Sequence, residues 1–189
     1  MLDRLRRHRA GATFFQVGAR AAAAPAAAAA VAAAGHAVGN HTHTHPRFRL
    51  LSLAAPVWEL ARCRRRVPGA RAFRPPYGRL TPGVWWAARR LGLEVVTWSV
   101  DSRDWECRSA ADAEACARAV LAAVRPGDVV LLHDDRPWAG AILDVLLPGL
   151  AARGLLEPAP AAATGGAGLE RAALIAGRTR PRGRRPALR

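Results

Sequence analysis

A chain of 189 residues is most simply one domain, and it is long enough to bury a real core. Its apolar fraction of 51% fits a globular protein, although alanine inflates the figure. All 29 basic residues are Arg and the net charge is +15, but the Arg residues are spread along the chain. No aromatic interleaving or zinc-finger spacing accompanies them, which argues against specific nucleic-acid recognition.

Residues 2–9 have helical spacing and end near Gly11, a C-cap residue. Residues 12–17 read as a buried strand. Pro25 suits the first turn of an Ala-rich helix that Gly35 ends. Ala37-Val38 is a very short strand. Residues 56–66 form a helix with its apolar residues on one face. Ala72-Phe73 precedes a Pro-Pro-Tyr-Gly turn. Thr81-Pro82 starts a helix running to Arg90, and Gly92 stops it. Residues 94–100 read as one strand, residues 110–124 as a helix capped by Ser109, and residues 129–132 as a strand. Residues 140–153 are helical, with Pro148 expected to kink or shorten them. Residues 155–158 make a poor closing strand. Residues 158–189 are rich in Ala, Gly, Pro and Arg and read as a disordered tail, with seven Arg and one acid from residue 160 onward.

Strands alternating with helices predict an α/β fold with a parallel sheet of βα units. In an α/β barrel, residues beyond the carboxyl ends of the strands converge on one face. The short motifs that follow the strands between residues 41 and 134 would then share one site. Cys63, Cys107 and Cys116 form no CxxC pair, which argues against cysteine-bound zinc. A Cys107–Cys116 bridge and free thiols both remain open. No apolar stretch resembles a signal peptide or a membrane span; residues 21–34 are too few, and Pro25 interrupts them.

Four motifs carry chemistry. Gly39-Asn40-His41-Thr42-His43-Thr44-His45-Pro46 holds two histidines four apart, and neutral imidazoles ligate metals well. Pro46 disfavours helix at His45, so the pair belongs on a loop entering the next helix. His43 is a third candidate, because strand alternation would put all three rings on one side. Arg74-Pro75-Pro76-Tyr77-Gly78 is a rigid turn whose N–H groups can face a developing oxyanion. Asp104-Trp105 sets a carboxylate beside a large aromatic; Asp104, or instead Asp101, can orient a histidine. His133, after a buried strand, is a general-acid candidate or a core histidine satisfied by Asp134 or Asp135. The lone Asn and the lone Tyr of the chain both fall inside these motifs.

In this order the motifs resemble the polysaccharide deacetylase (NodB-like) family, carbohydrate esterase family 4, from about Leu2 to about Leu155. Thr44 stands where Ser is usual, and His43 where an aromatic is common. The resemblance implies a distorted (β/α) barrel over residues 1–157 and a divalent metal, usually zinc, held by His41 and His45. It implies that Tyr77 offers its backbone N–H to the oxyanion and that Arg74 pairs with a catalytic base. Asp104 would tune His133, the general acid, while Trp105 and Leu131 line the acetyl pocket. The implied reaction removes an N-acetyl group from a glycan.

The family's first motif, a TFDDG strand end supplying the base and the third metal ligand, has no counterpart here; Asp3 is the one acid upstream of His41. The domain is therefore expected to be truncated at its N-terminus. The enzyme reading requires an upstream segment. The alternative is a catalytically inactive carbohydrate-binding relative, or a polyanion binder using the Arg-rich tail. A monomer is expected. It would be cytoplasmic as the sequence stands, and in the cell envelope or secreted if an export signal lies upstream.

Overall fold

Aromatic and β-branched residues favour extended backbone, and Thr13–Gln16 forms strand β1. It pairs in parallel with β2 (Ala37–Asn40), Thr13 opposite Ala37 and Gln16 opposite Asn40. Strands β3 (Ala72–Phe73) and β4 (Glu94–Val95) continue the same sheet in the order β1-β2-β3-β4. A second parallel sheet pairs β5 (Val100–Asp101) with β6 (Val130–Leu131). These are features of a computed structural model that describes residues 1–49 and 53–158. The tail expected to be disordered lies, apart from Pro158, outside the described residues.

Parallel neighbours need crossovers, and helices supply them. They are α1 (Leu2–Arg7), α2 (Gly18–Ala23), α3 (Pro25–Ala33), α4 (Ala54–Arg66), α5 (Pro82–Arg90), α6 (Ala110–Ala123) and α7 (Ala139–Ala152). Local chemistry fixes several ends. Pro25 opens α3, the Thr81 hydroxyl accepts from Val84 N at the start of α5, and the Ser109 hydroxyl accepts from Asp112 N at the start of α6. Helix α7 continues to Ala152 with Pro148 inside it.

Three expectations are corrected. Residues 94–100 are not one strand: they break at Val96–Ser99 and their two ends belong to different sheets. The carbonyls of Val96 and Thr97 accept from Arg74, so they are unavailable to a ladder. Helix α2 was not expected, because its Gly-Ala-Arg sequence carries no apolar periodicity. Gly11 is not the cap of α1; His8 ends that helix, and Arg9 takes the left-handed turn with φ 52°.

Three packed regions support the site. Leu60 of α4, Phe73 of β3 and Val84 of α5 are fully buried together. Val100 and the α6–α7 pair enclose Ile142 and Leu146. Leu5 and Ala10 pack on Leu143 and Leu147, with Phe14 and Leu156 beside them. Residues 155–158 are, as expected, hardly a strand; Pro158 makes an isolated bridge to Ala10, and Gly11 N donates to Glu157 O.

Candidate active site

The first histidine loop begins where β2 ends. Asn40 is fully buried because both ends of its amide are used: Nδ2 donates to Leu60 O at 2.9 Å and Oδ1 accepts from Thr42 N at 2.9 Å. Thr42 then turns left-handed (φ 66°), as does His45 (φ 58°). The Thr42 hydroxyl ties the two turns, donating to His41 O and accepting from His45 N at 3.0 Å. The His41 and His45 rings meet edge-on, 4.8 Å apart.

His41 Nδ1 lies 2.7 Å from Arg74 O. A carbonyl only accepts, so Nδ1 carries the proton and Nε2 presents its lone pair. Burial pushes the His41 pKa down to about 4, and burial also lowers that of His45. Both rings therefore stay neutral at neutral pH. His43 does not join them. The left-handed turns break strand alternation and send its ring the other way, buried edge-on against Trp58 at 6.2 Å.

Helix α2 holds the loop from beneath: Gly18 N donates to Thr42 O and Ala19 N to His43 O, each at 2.9 Å. Gly18 permits that approach, since a Cβ there would lie 2.8 Å from His43 Nδ1 and 2.9 Å from Cys63 Cα.

Arg74 follows β3 and is buried, its guanidinium 4.2 Å from the Phe15 ring centroid and 5.8 Å from that of Trp98. Nε donates to Val96 O at 3.3 Å and Nη2 to Thr97 O at 3.1 Å. Burial lowers its pKa to about 10. Among the described residues no carboxylate lies within ion-pairing distance of it. The following turn is a 3-10 segment, Pro76–Gly78, in which Tyr77 is left-handed at φ 57°, a costly conformation for an aromatic residue. The turn's own bonds run from Gly78 N to Pro75 O and from Arg79 N to Pro76 O, leaving the Tyr77 N–H outside them. Its ring lies 4.8 Å from that of His45. A side chain at Gly78 would collide with Trp98, in addition to the strain of φ 65°.

Asp104 opens a second 3-10 segment, Asp104–Glu106, and is 1% exposed. Oδ2 accepts from His133 N and Oδ1 contacts His133 Nδ1, each at 2.7 Å. That ring hydrogen bond and the adjacent negative charge raise the His133 pKa above its ordinary value. The carboxylate that meets the His133 ring is that of Asp104 rather than Asp134 or Asp135. Asp135 pairs instead with Arg20 at 2.6 Å, and Asp101 accepts from Arg103 N in a local turn. Trp105 stands edge-on to the His133 ring at 5.5 Å, and Leu131 is buried on β6 two residues before His133.

The arrangement offers two neutral imidazoles, an acid–histidine pair and a strained turn beside them. The imidazoles suit two positions around a divalent metal, one of them already anchored through its second nitrogen. Among the described residues no third His, Cys, Asp or Glu completes such a group.

Residues 1–96 match the family described as polysaccharide deacetylase. The chain belongs to the polysaccharide deacetylase family. It is similar to a chitooligosaccharide deacetylase of Bradyrhizobium, 39% identical over 143 residues, which are 72% of this chain and 64% of that relative. It thus spans less than two thirds of that relative's length. Among solved structures it resembles a family 4 carbohydrate esterase from Streptomyces lividans in complex with acetate, with a TM-score of 0.76, 32% identity, and coverage of 87% of this chain and 86% of the other. It also resembles a carbohydrate esterase family 4 pseudoenzyme from Bacillus anthracis, with a TM-score of 0.75, 27% identity, and coverage of 82% and 56%.

For a polysaccharide deacetylase fold, sequence reasoning missed several supports. Phe15 and Trp98 cover Arg74, and Gln16 O accepts from His41 N. These contacts cross between strands and leave no local signal. Glu59 was also missed, but it had one: an acid within the buried series Pro56, Glu59, Leu60, Cys63.

Proposed function

We propose that this chain carries the metal-holding histidines and the general acid of a metal-dependent deacetylase that removes N-acetyl groups from an N-acetylated glycan of the chito-oligosaccharide or peptidoglycan type, turnover requiring a carboxylate base and a third metal ligand that the described residues do not supply. The observation that carries the reading is the Asp104–His133 pair, both oxygens of one buried carboxylate engaged by one histidine. The kinship with a chitooligosaccharide deacetylase supports the substrate class. His41 and His45 would hold the metal, zinc being the usual choice for such donors, and it would supply Lewis-acid polarisation of the acetyl carbonyl. His133, protonated and fixed through Nδ1, donates from Nε2 to the leaving amine, and Asp104 stabilises the imidazolium before transfer. The Tyr77 N–H faces the developing oxyanion, with Trp105 and Leu131 against the acetyl methyl group. Arg74, which donates here to the Val96 and Thr97 carbonyls, would be the partner of a carboxylate base that no described residue supplies.

A second reading has its own support. Arg74 lacks a carboxylate and the two histidines lack a third ligand among the described residues, and one structural relative is a pseudoenzyme. On that reading the site binds glycan without turnover. Acetate release from N-acetylated chito-oligosaccharides with added zinc separates the two. Turnover that disappears in His133→Ala upholds the deacetylase; saturable binding without acetate release upholds the glycan binder.

A further inference from the structure

We propose that Glu59 is a positioning residue for the histidine pair, holding the loop between His41 and His45 from helix α4. The proposal rests on the reading of those two histidines as metal ligands. Glu59 is buried, 6% exposed, yet among the described residues no Arg pairs with it. Its partners all come from the loop. Oε2 accepts from His43 N and from Thr44 N, each at 2.8 Å, and Oε1 accepts from the Thr44 hydroxyl at 2.8 Å. Two consecutive amides and a hydroxyl thus converge on one carboxylate, midway between the two imidazoles in sequence.

The arrangement has a geometric purpose. Residues 42 and 45 are left-handed, so the loop pays backbone strain at both ends of the segment that Glu59 grips. The Thr42 and His43 carbonyls point the opposite way, to Gly18 N and Ala19 N of α2. The loop is therefore clamped between α2, which takes its carbonyls, and α4, which takes its amides. The next residue of α4, Leu60, accepts from Asn40 Nδ2 at the entry to the same loop. A loop held from both sides keeps the His41 and His45 rings at one separation. Groups that orient metal ligands in this way typically change metal affinity about 10–100-fold when removed.

The test is zinc titration of the full chain by calorimetry, alongside amide hydrogen exchange and thermal melting. Glu59→Ala is expected to weaken zinc binding by about tenfold or more and to speed exchange at the His43 and Thr44 amides, with a cooperative melt retained. Glu59→Gln keeps a carbonyl oxygen for the two amides and can donate to the Thr44 hydroxyl, so it is expected to restore affinity and protection. Rescue by that isostere is what a merely space-filling role would not distinguish from Glu59→Met, which is expected to bind zinc as weakly as Glu59→Ala. If Glu59→Ala fails to fold, Glu59→Asp, which withdraws the carboxylate by one methylene, is read in its place. Unchanged zinc affinity in the Glu59 variants, while His41→Ala loses it, overturns the positioning role. Unchanged affinity in His41→Ala overturns the metal reading instead; Glu59 is then judged by exchange, and undiminished protection in Glu59→Ala overturns its hold on the loop.

Discussion

Asp104 binds His133 twice, once at the backbone amide and once at ring Nδ1, both at 2.7 Å. The double grip fixes where the ring starts and how it is turned, and it leaves Nε2 outside both hydrogen bonds. The carboxylate is fully buried and the ring only partly so, which shields the Nδ1 hydrogen bond while part of the imidazole stays accessible.

The charge relationship gives a pH prediction. The folded-state pKa of His133 is raised, chiefly by its hydrogen bond to Asp104. The protonated pair therefore stabilises the fold fully below the ordinary histidine pKa, and that contribution is lost as pH rises through the raised value. Asp104→Asn should lower the His133 pKa, measured by NMR titration of its ring protons. The difference in melting temperature between wild type and Asp104→Asn should narrow as pH rises. A His133 titration unmoved by the substitution would remove Asp104 as its tuning partner.

The two kinds of histidine should separate in substitution. His41→Ala is expected to abolish tight zinc binding, checked by metal content after dialysis. His133→Ala should keep the metal and lose turnover by about a hundredfold or more, the scale of general acid catalysis. Retained zinc in His41→Ala would sink the ligand assignment, and undiminished acetate release in His133→Ala would remove His133 as the acid.

Arg74 makes a stability prediction that is independent of catalysis. Arg74→Met keeps much of the packing on Phe15 and Trp98 but deprives the carbonyls of Val96 and Thr97 of their donor. The expected loss is about 1–3 kcal/mol in urea-induced unfolding. An unchanged midpoint and slope would mean that the bend between β4 and β5 does not depend on the guanidinium.

Gly18→Ala tests the contact between α2 and the histidine loop. Its Cβ would sit 2.9 Å from a backbone atom of Cys63, which cannot yield as a flexible side-chain end does. Destabilisation of about 1–3 kcal/mol is expected from such overpacking, read by chemical denaturation. A neutral effect would show that α2 can move away without cost to the loop.

Much of the fold was legible because its signals are local. Pro25, Thr81 and Ser109 mark helix starts by their own chemistry, and each begins the helix expected of it. The order of the motifs led to the family, which the match over residues 1–96 bears out. The strand expected at residues 94–100 is broken because its apolar run says nothing of Arg74, which lies 22 and 23 residues before the two central carbonyls it takes. Helix α2 was invisible because alanine and glycine carry no periodicity, and its worth lies in two amides that meet another loop.

By itself, the sequence determined residue types in order: histidines four apart, a Pro-Pro-Tyr-Gly turn, an Asp-Trp pair and a histidine after an apolar strand. Such features follow from propensity and short-range sterics, which act over a few residues. Only the tertiary structure decided which groups meet. It turned His43 away from His41 and His45, chose Asp104 over Asp101, Asp134 and Asp135 for His133, and brought Glu59 to two loop amides. Those choices depend on crossover helices setting distant segments within hydrogen-bond reach, and buried polar groups accept only the partners that packing delivers.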